Sequence, residues 1–429
     1  MLSPIPQAAS PLTAGASGNE YGSIFESYVG RSLEMLARQL EQVEGLLAQE
    51  LQARFWQTLE YGLRIRTAWP ATRALLLAVA PKIEQTGTWD EWLPCLGKSI
   101  ERSQAVDDKA AEAELRMHLG HLLFRVGEVE TARHQLELAG HLFGQLGQMP
   151  RHAVALARLA QLVHRADGDA HAARDLAERA LRMVTRSDLE AAYCHFVHGT
   201  LAGEELAVGE AAAALDEARR LAEQAGDRRL HALALLNLGR LYAQRTLYEP
   251  AETYYEWAIA AFVALEDPVN LAVAQMNLAI IYMESGKYNQ ALRRYDEAET
   301  TLRPLHDRRY LAMIYNNKGM VYTEMQDWAR AEEAYLAACG LWRQLDEPVS
   351  LANVMDNLGE LYMAQGAPRQ AVATFADALA LLHTGHFGSA EARRLGDEIA
   401  AHLEIARAQS PDAAPRSTVT TPVQRVAIQ

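Results

Sequence analysis

Along most of the chain, apolar positions recur with the 3.6-residue period of helices, and no alternation of period two competes with it. The stretch Leu271 to Met283 is apolar except at Gln275 and Asn277, which predicts a helix buried on most sides. Asn289 to Leu302 predicts an amphipathic helix, with Ala291, Tyr295 and Ala298 on one face and Arg293, Arg294 and Asp296 elsewhere. Gly286 falls between the two, where a left-handed residue would end the first helix. Asp267, Asp307 and Glu347 recur just before the next such stretch, and Pro268 and Pro348 after them suit a helix start.

This two-helix pattern repeats. Four blocks of forty residues, starting at 231, 271, 311 and 351, align without a gap. Their openings read HALALLNLGRLY, LAVAQMNLAIIY, LAMIYNNKGMVY and LANVMDNLGELY, and their second halves YEPAETYYEWA, YNQALRRYDEA, WARAEEAYLAA and PRQAVATFADA. The block at 191 fits the frame through Gly199, Ala211, Leu215 and Ala218, and blocks near 151 and 111 fit with a slip of about one residue. A block near 71 is recognisable from GTWDEWLPCLGKS, with Trp92 where the others have alanine. Residues 71–390 thus read as about eight units, degenerate over 71–230 and regular over 231–390. Small residues recur where backbones approach closely: Gly239, Ala279, Gly319 and Gly359, then Ala251, Ala291, Ala331 and Ala371. Tyr242, Tyr282, Tyr322 and Tyr362 supply bulk opposite them.

The spacing LG-x-[LIV]-Y, then G-x-Y-x-x-A, then Y-x-x-A strongly resembles the tetratricopeptide repeat (TPR) over about 71–390. Repeats of that family usually run near 34 residues. The forty-residue form with NLG openings looks most like that of kinesin light chain and Pins-type adaptors, and of sensor arms in bacterial STAND NTPases. HEAT and armadillo units share the longer period but lack the Gly-x-Tyr-x-x-Ala turn. The resemblance implies an all-α, right-handed α-solenoid of stacked antiparallel helix pairs. Residues 21–70 carry Leu33, Leu36, Leu40, Val43 and Leu47 at heptad spacing. Two heptads are too few for a coiled coil, so a helical cap over the first unit is expected, with self-association through 21–70 as the alternative. Residues 391–408 read as a capping helix. Residues 1–20 and 409–429, rich in Pro, Ser, Thr, Ala and Gln, are expected to be disordered tails.

The first helix of each pair is expected to line a concave groove. Helical spacing puts Val273, Asn277, Ile280 and Glu284 on one stripe, opposite the Tyr282 face. The equivalents are Leu233, Asn237, Arg240, Gln244; Met313, Asn317, Met320, Glu324; and Asn353, Asn357, Glu360, Ala364. Asparagine is a mediocre helix former, yet it holds one position four times, at Asn237, Asn277, Asn317 and Asn357. In the resembling families, asparagine at this point hydrogen-bonds the backbone of an extended peptide, which its acceptor and two donors suit. The competing reading has these amides satisfy one another or a neighbouring helix.

Charge then refines the picture. Lys and Arg total 41 against 55 Asp and Glu, a net charge of −14, which disfavours nucleic acid and anionic membrane as partners. The upstream stripes carry His118, His121, Arg125, Arg158 and Arg165, a possible basic groove end, whereas Glu284, Glu324 and Glu360 make the downstream stripes acidic. A carboxylate clamp of the family's chaperone-binding kind needs Lys or Arg beside the asparagine, and only Arg240 offers that. The downstream half should therefore prefer an apolar or basic internal peptide.

Other chemistry finds no support. Gly97-Lys98-Ser99 echoes a phosphate loop, but Trp92 stands where its first glycine is required. The pairs His118/His121, His195/His198 and His383/His386 lack a third ligand at helical spacing, apart from Glu114 near the first. No cofactor is called for, and no GxSxG, HExxH or Cys–His constellation appears. No apolar run is long enough for a membrane span, the N-terminus lacks a secretory pattern, and Cys95, Cys194 and Cys339 have no CxxC spacing, which points to a reducing, cytoplasmic setting. The sequence predicts a non-catalytic adaptor that holds a peptide or partner helix, with a bacterial regulatory sensor that changes conformation as the alternative.

Overall fold

The computed structural model describes residues 18–41, 49–86, 92–185, 188–204, 207–384 and 390–410. Of the tails expected at 1–20 and 409–429, residues 1–17 and 411–429 lie outside them, as do the heptad positions Val43 and Leu47, residues 87–91 of the block near 71, and His386, whereas residues 18–20 and 409 belong to helices. Among the described residues there are nineteen α-helices and no strand. The protein is all-α, an α-solenoid of consecutive helix pairs. By contact it divides into two compact units, residues 1–245 with 260–267, and residues 246–259 with 268–429.

The first unit opens with α1 (Gly18–Glu41), α2 (Gln49–Arg64) and α3 (Trp69–Thr86). The inner face of α1, with Val29, Leu33, Leu36, Ala37 and Leu40, is buried in one core with Phe55 and Leu59 of α2 and Leu75, Leu76 and Val79 of α3. Next come α4 (Trp92–Ala105), α5 (Lys109–Arg125), α6 (Val129–Gln145), α7 (Met149–Leu162), α8 (Ala170–Met183), α9 (Ala191–Glu204), α10 (Val208–Ala225) and α11 (Arg228–Ala243). Here α5 packs with α6, α7 with α8, and α9 with α10. Gly97, Lys98 and Ser99 lie inside α4, where a helix leaves no loop to cradle phosphate. Helix α12 (Tyr248–Ala264) is counted with the second unit up to residue 259 and with the first from 260. The second unit continues through α13 (Pro268–Glu284), α14 (Tyr288–Leu302), α15 (Arg308–Glu324), α16 (Trp328–Gln344), α17 (Pro348–Ala364), α18 (Pro368–Thr384) and α19 (Ala390–Gln409). Its pairs are α13 with α14, α15 with α16, and α17 with α18, and α19 packs on α18 and α17.

A left-handed residue ends helix after helix. From Gly226 onward positive φ recurs every twenty residues, at Thr246, Glu266, Gly286, His306, Gln326, Asp346 and Gly366. At Gly286 (φ 71°) the turn closes with Gly286 N–H donating to Met283 O (2.9 Å) and Lys287 N–H to Tyr282 O (2.7 Å), so carbonyls orphaned at the helix end are satisfied. Between Gly147 and Gly168 the interval is twenty-one. A π-helical turn at Val163–Asp167 absorbs the added residue. Asp108, Asp169, Asp227, Asp307 and Asp327 each accept a hydrogen bond from a backbone N–H in the first turn that follows.

Within each pair the small residue of the first helix meets a large one sixteen positions later. A Cβ on Gly319 would overlap the Tyr335 ring, and one on Gly359 the Phe375 ring. Tyr335 and Phe375 are themselves buried, as is Tyr295, sixteen residues beyond Ala279. One core position breaks the pattern. Lys318 replaces the leucine found at 238, 278 and 358, yet is only 8% exposed. Its ammonium lies 2.6 Å from Asp296 and 2.5 Å from Glu299. Glu299 also accepts from the Tyr315 hydroxyl at 2.9 Å and pairs with Arg303. Burial alone would raise the Glu299 carboxyl, but Lys318 and Tyr315 hold it below the usual range.

Two consequences can be measured by denaturant unfolding. Glu299→Ala should destabilise the protein by about 3 kcal/mol, because it strips a buried ammonium of its main partner. Adding Lys318→Leu should recover most of that loss; a double variant as weak as the single would contradict this account. Gly286→Ala should cost about 1 kcal/mol through its left-handed backbone.

Candidate functional site

In the second unit the three expected stripes are accessible. Val273, Asn277 and Ile280 on α13, Asn317 and Met320 on α15, and Asn357 on α17 are half-buried. Glu284, Met313, Glu324, Asn353, Glu360 and Ala364 are exposed. Spacings of three and four residues keep each set on one helical face, and the buried small residues Ala279, Gly319 and Gly359 hold the opposite face against the second helix.

The amides differ in what they already bind. Asn277 has no hydrogen-bond partner among the described residues. The Asn357 Nδ2 donates to Asn316 Oδ1 at 2.9 Å, and Asn316 Nδ2 lies 3.4 Å from Asn317 Oδ1, so these three form a belt joining α15 to α17. Asn317 also neighbours the Tyr295 hydroxyl, which is buried without a well-formed hydrogen bond. Burial pushes this phenol up, and Asn317 opposes the shift. The internal role weighed for the asparagines thus holds in part for Asn317 and Asn357. Asn316 was not singled out in the sequence, although it breaks a column of Leu236 and Met276.

The acidic ends are framed too. Glu284 accepts a hydrogen bond from Tyr248, and Glu324 from Tyr288 at 3.4 Å. Forty residues on, both members change together, to Trp328 and Ala364. Glu360 instead lies 3.7 Å from His402 Nε2 of α19, whose Nδ1 is 2.8 Å from the buried Asp356. The His402 ring also packs 5.6 Å from Phe375. His402 lies 46 residues from Asp356 on a helix without repeat partners, so spacing gave no sign of it.

In the first unit, α11 carries Leu233, Asn237 and Arg240, with Gln244 at its C-cap. Asn237 Nδ2 donates to the Leu233 carbonyl of its own helix at 2.8 Å, and Arg240 lies 3.9 Å from Glu204. A cavity of about 670 Å³ is lined by first helices of successive pairs, including Met117 and His118 of α5, Arg151, Val154 and Arg158 of α7, Tyr193 and Phe196 of α9, and Leu230 and Leu233 of α11. Arg151 pairs with Glu114 and lies 3.8 Å from Glu190, both on the same wall. Arg158 donates to the Met117 carbonyl at 3.2 Å. Of the basic groove end, His118 and Arg158 enter this wall. Half-buried His121 and exposed Arg125 and Arg165 are not among its lining residues. Arg151, Glu190 and Tyr193 were missed because their repeats are degenerate.

Among the described residues no three His, Cys, Asp or Glu side chains converge to hold a metal ion. Burial pushes the Cys95 thiol up to about 11 and Cys194 to about 12, so neither is a thiolate at neutral pH. Among the described residues no helix is long and apolar enough to cross a membrane.

Comparison with known proteins agrees with the geometry. The family model described as tetratricopeptide repeat matches residues 270–344 and 310–382. No curated protein sequence matches the chain. Among solved structures, a Rap protein complexed with competence and sporulation factor is 16% identical, covers 90% of this chain and 99% of its own, and has a TM-score of 0.53. Aspartyl phosphate phosphatase F from Bacillus subtilis is 16% identical over 86% of this chain and 96% of its own, with a TM-score of 0.50. Yeast Tom70 is 13% identical over 93% and 84%, also at 0.50. At these identities the likeness is one of fold.

The His402 contact carries a pH dependence. Burial alone would lower this imidazole, but the Asp356 hydrogen bond and the Asp356, Glu360 and Glu398 charges raise it. Asp356 is raised by burial against the pull of His402. Both folded-state values lie above the ordinary ones, so the contact binds protons on folding and weakens as pH rises. The carboxyl's part is lost in the acid range, as pH rises through the raised value of Asp356. The imidazole's part should be complete below its ordinary pKa of about 6.5 and be lost as pH rises through the raised value of His402. Hydrogen-exchange protection of α19, corrected for intrinsic rates, should fall over that interval. His402→Gln should flatten the dependence, and an equally steep fall in that variant would refute the assignment.

Proposed function

We propose, from the premise that this chain is a tetratricopeptide-repeat protein, that it is a non-catalytic binding scaffold taking an extended peptide segment on the face of its second unit. The observation that carries this reading is Asn277, a half-buried amide without a hydrogen-bond partner among the described residues, in line with Asn317 and Asn357. The Asn277 amide atoms are open to water rather than sealed in the core, and a peptide backbone offers both a donor and an acceptor to take the place of that water. The exposed Glu284, Glu324 and Glu360 favour a segment with basic side chains, and Val273, Ile280, Met313 and Met320 favour apolar ones between them. Binding of this kind needs no cofactor. The buried thiols, unpaired in any disulfide, fit a reducing, cytoplasmic setting.

A second reading, a regulatory sensor, is favoured by the cavity of the first unit, whose volume falls within the range of ligand pockets. A neighbour of this fold, the Rap protein, is complexed with a competence and sporulation factor, and a factor of that kind on this chain would select one arrangement of the repeats. Contraction in small-angle scattering on adding a bound peptide would favour the sensor.

The scaffold reading is tested with an immobilised array of peptides graded in charge. Basic and apolar peptides should be retained over acidic ones, and Asn277→Ala with Asn317→Ala should weaken retention by roughly tenfold, the loss of one or two net hydrogen bonds. The helical melt should hardly move. Unchanged affinity, or a preference for acidic peptides, would overturn the proposal.

A further inference from the structure

Helix α1 buries one side and leaves a second, aromatic side uncovered. Tyr21 is 46% exposed, Ile24 57%, Phe25 47%, Tyr28 65% and Met35 55%, and Tyr61 of α2, 42% exposed, stacks edge-on against Phe25 at 5.7 Å. These are six large apolar side chains on two packed helices. Positions 21, 28 and 35 are seven apart, so they recur on one line of the helix, with 24 and 25 on its two flanks. The inner residues Val29, Leu33, Leu36 and Leu40 already serve the core of the unit, which leaves the outer stripe no packing role within it.

We infer that this stripe is a homodimer interface, in which α1 of one copy lies antiparallel on α1 of a second copy about a two-fold axis at Tyr28. The proposal does not depend on the peptide-binding reading.

Three observations favour a second copy over a foreign partner. The stripe is symmetric about its most exposed member: Tyr21 stands seven residues before Tyr28 and Met35 seven after. A two-fold axis there sets Tyr28 on its own counterpart and Tyr21 against the other copy's Met35, a thioether–aromatic contact. On the flanks, Ile24 meets the aliphatic stem of Arg31, and Phe25 meets the small Ser32. Area supports the same conclusion. Aromatic side chains bury some 150–250 Å² each when covered, so the half-exposed stripe offers roughly 500 Å² per copy. That is near the largest patch a monomer usually shows, and two copies reach about 1,000 Å², the threshold of a specific interface. Charge does not oppose the approach either. Residues 21–66 hold six acidic side chains and five arginines, so two chains of net charge −14 meet on near-neutral ground.

Sedimentation equilibrium of the full chain tests the proposal. Wild type should pass from monomer to dimer with a dissociation constant on the order of micromolar, as an interface of minimal area allows. Tyr28→Glu places like charges across the axis and should weaken the dimer at least tenfold, with an unchanged circular-dichroism melt showing that the fold is intact. Tyr21→Glu and Met35→Lys should each weaken self-association. Mixed together, the two variants should pair with each other in preference to themselves, because residue 21 of one meets residue 35 of the other. A chain that stays monomeric at about 100 µM, some hundredfold above that constant, would overturn the proposal. So would a dimer indifferent to Tyr28→Glu, or a chain that dimerises only after removal of residues 1–17, which would identify that segment as the occupant of the stripe.

Discussion

The close approach of paired helices at one small residue per repeat governs what the second unit can present to a partner. Gly319 touches the Tyr335 ring and Gly359 the Phe375 ring with no room for a Cβ. That contact fixes the rotation of the first helix about its own axis. The asparagine two residues earlier is then turned by some 200°, away from the second helix. Its half-exposure is therefore a consequence of the packing. Any side chain at 277, 317 or 357 would face the same way, and the amide is the chemical choice laid on that geometry.

Against this regular background, the charged residues that enter the core mark where the repeats stop being equivalent. Lys318 follows Asn317 directly and Asp356 precedes Asn357, and each is nearly buried. A buried charge is weak evidence for added stability, since well-packed apolar groups usually do as well. Its effect is directional. The Lys318 ammonium must find Asp296 and Glu299 on α14, and Asp356 must find His402 on α19, so α15 is pinned to the pair before it and α17 to the helix that follows its own pair. With Asn316 bridging to Asn357, α15 and α17 are held by polar contacts at both flanks, whereas α13 presents Asn277 uncommitted. The unit thus ties α15 and α17 through polar contacts that Asn277 of α13 does not make, a division that uniform repeats would not create.

How far the sequence disclosed this follows from how far each residue's neighbours repeat. The helix pairs, the small-residue contacts and the accessible stripes were legible because position 277 meets the same surroundings as 317 and 357. The turn at Gly286 was legible for a second reason, since glycine announces a left-handed residue. The equivalent turns at Glu266, His306, Gln326 and Asp346 were silent because ordinary side chains occupy them. There the repeat length, set by packing on both sides, imposes a conformation that local preference resists. The Asn316 belt and the His402 contact were illegible for the opposite reason, as each occurs once. The cavity of the first unit was hidden too, because Arg151, Glu114 and Glu190 come from three degenerate repeats and meet only in three dimensions.

An array of stacked pairs has an unsatisfied apolar face at each end, and a terminal helix must cover it while offering water a polar outer side. Helix α19 does both. It buries Ala392, Leu395, Ile399, Leu403 and Ala406, and among its described residues its outward positions are polar, charged or alanine apart from Ile405. Helix α1 does only the first. Its inner leucines cover the first unit, but its outer side carries Tyr21, Ile24, Phe25, Tyr28 and Met35 beside the exposed charges of Glu26, Arg31, Glu34 and Arg38. Isolated exposed apolar residues are common on any surface, so the informative feature is their alignment at helical spacing on a helix whose core duties are already met. Water is a poor solvent for such a stripe. A helix shaped only to end the stack would look like α19, and the difference between the two is what marks α1 as a surface meant to be covered.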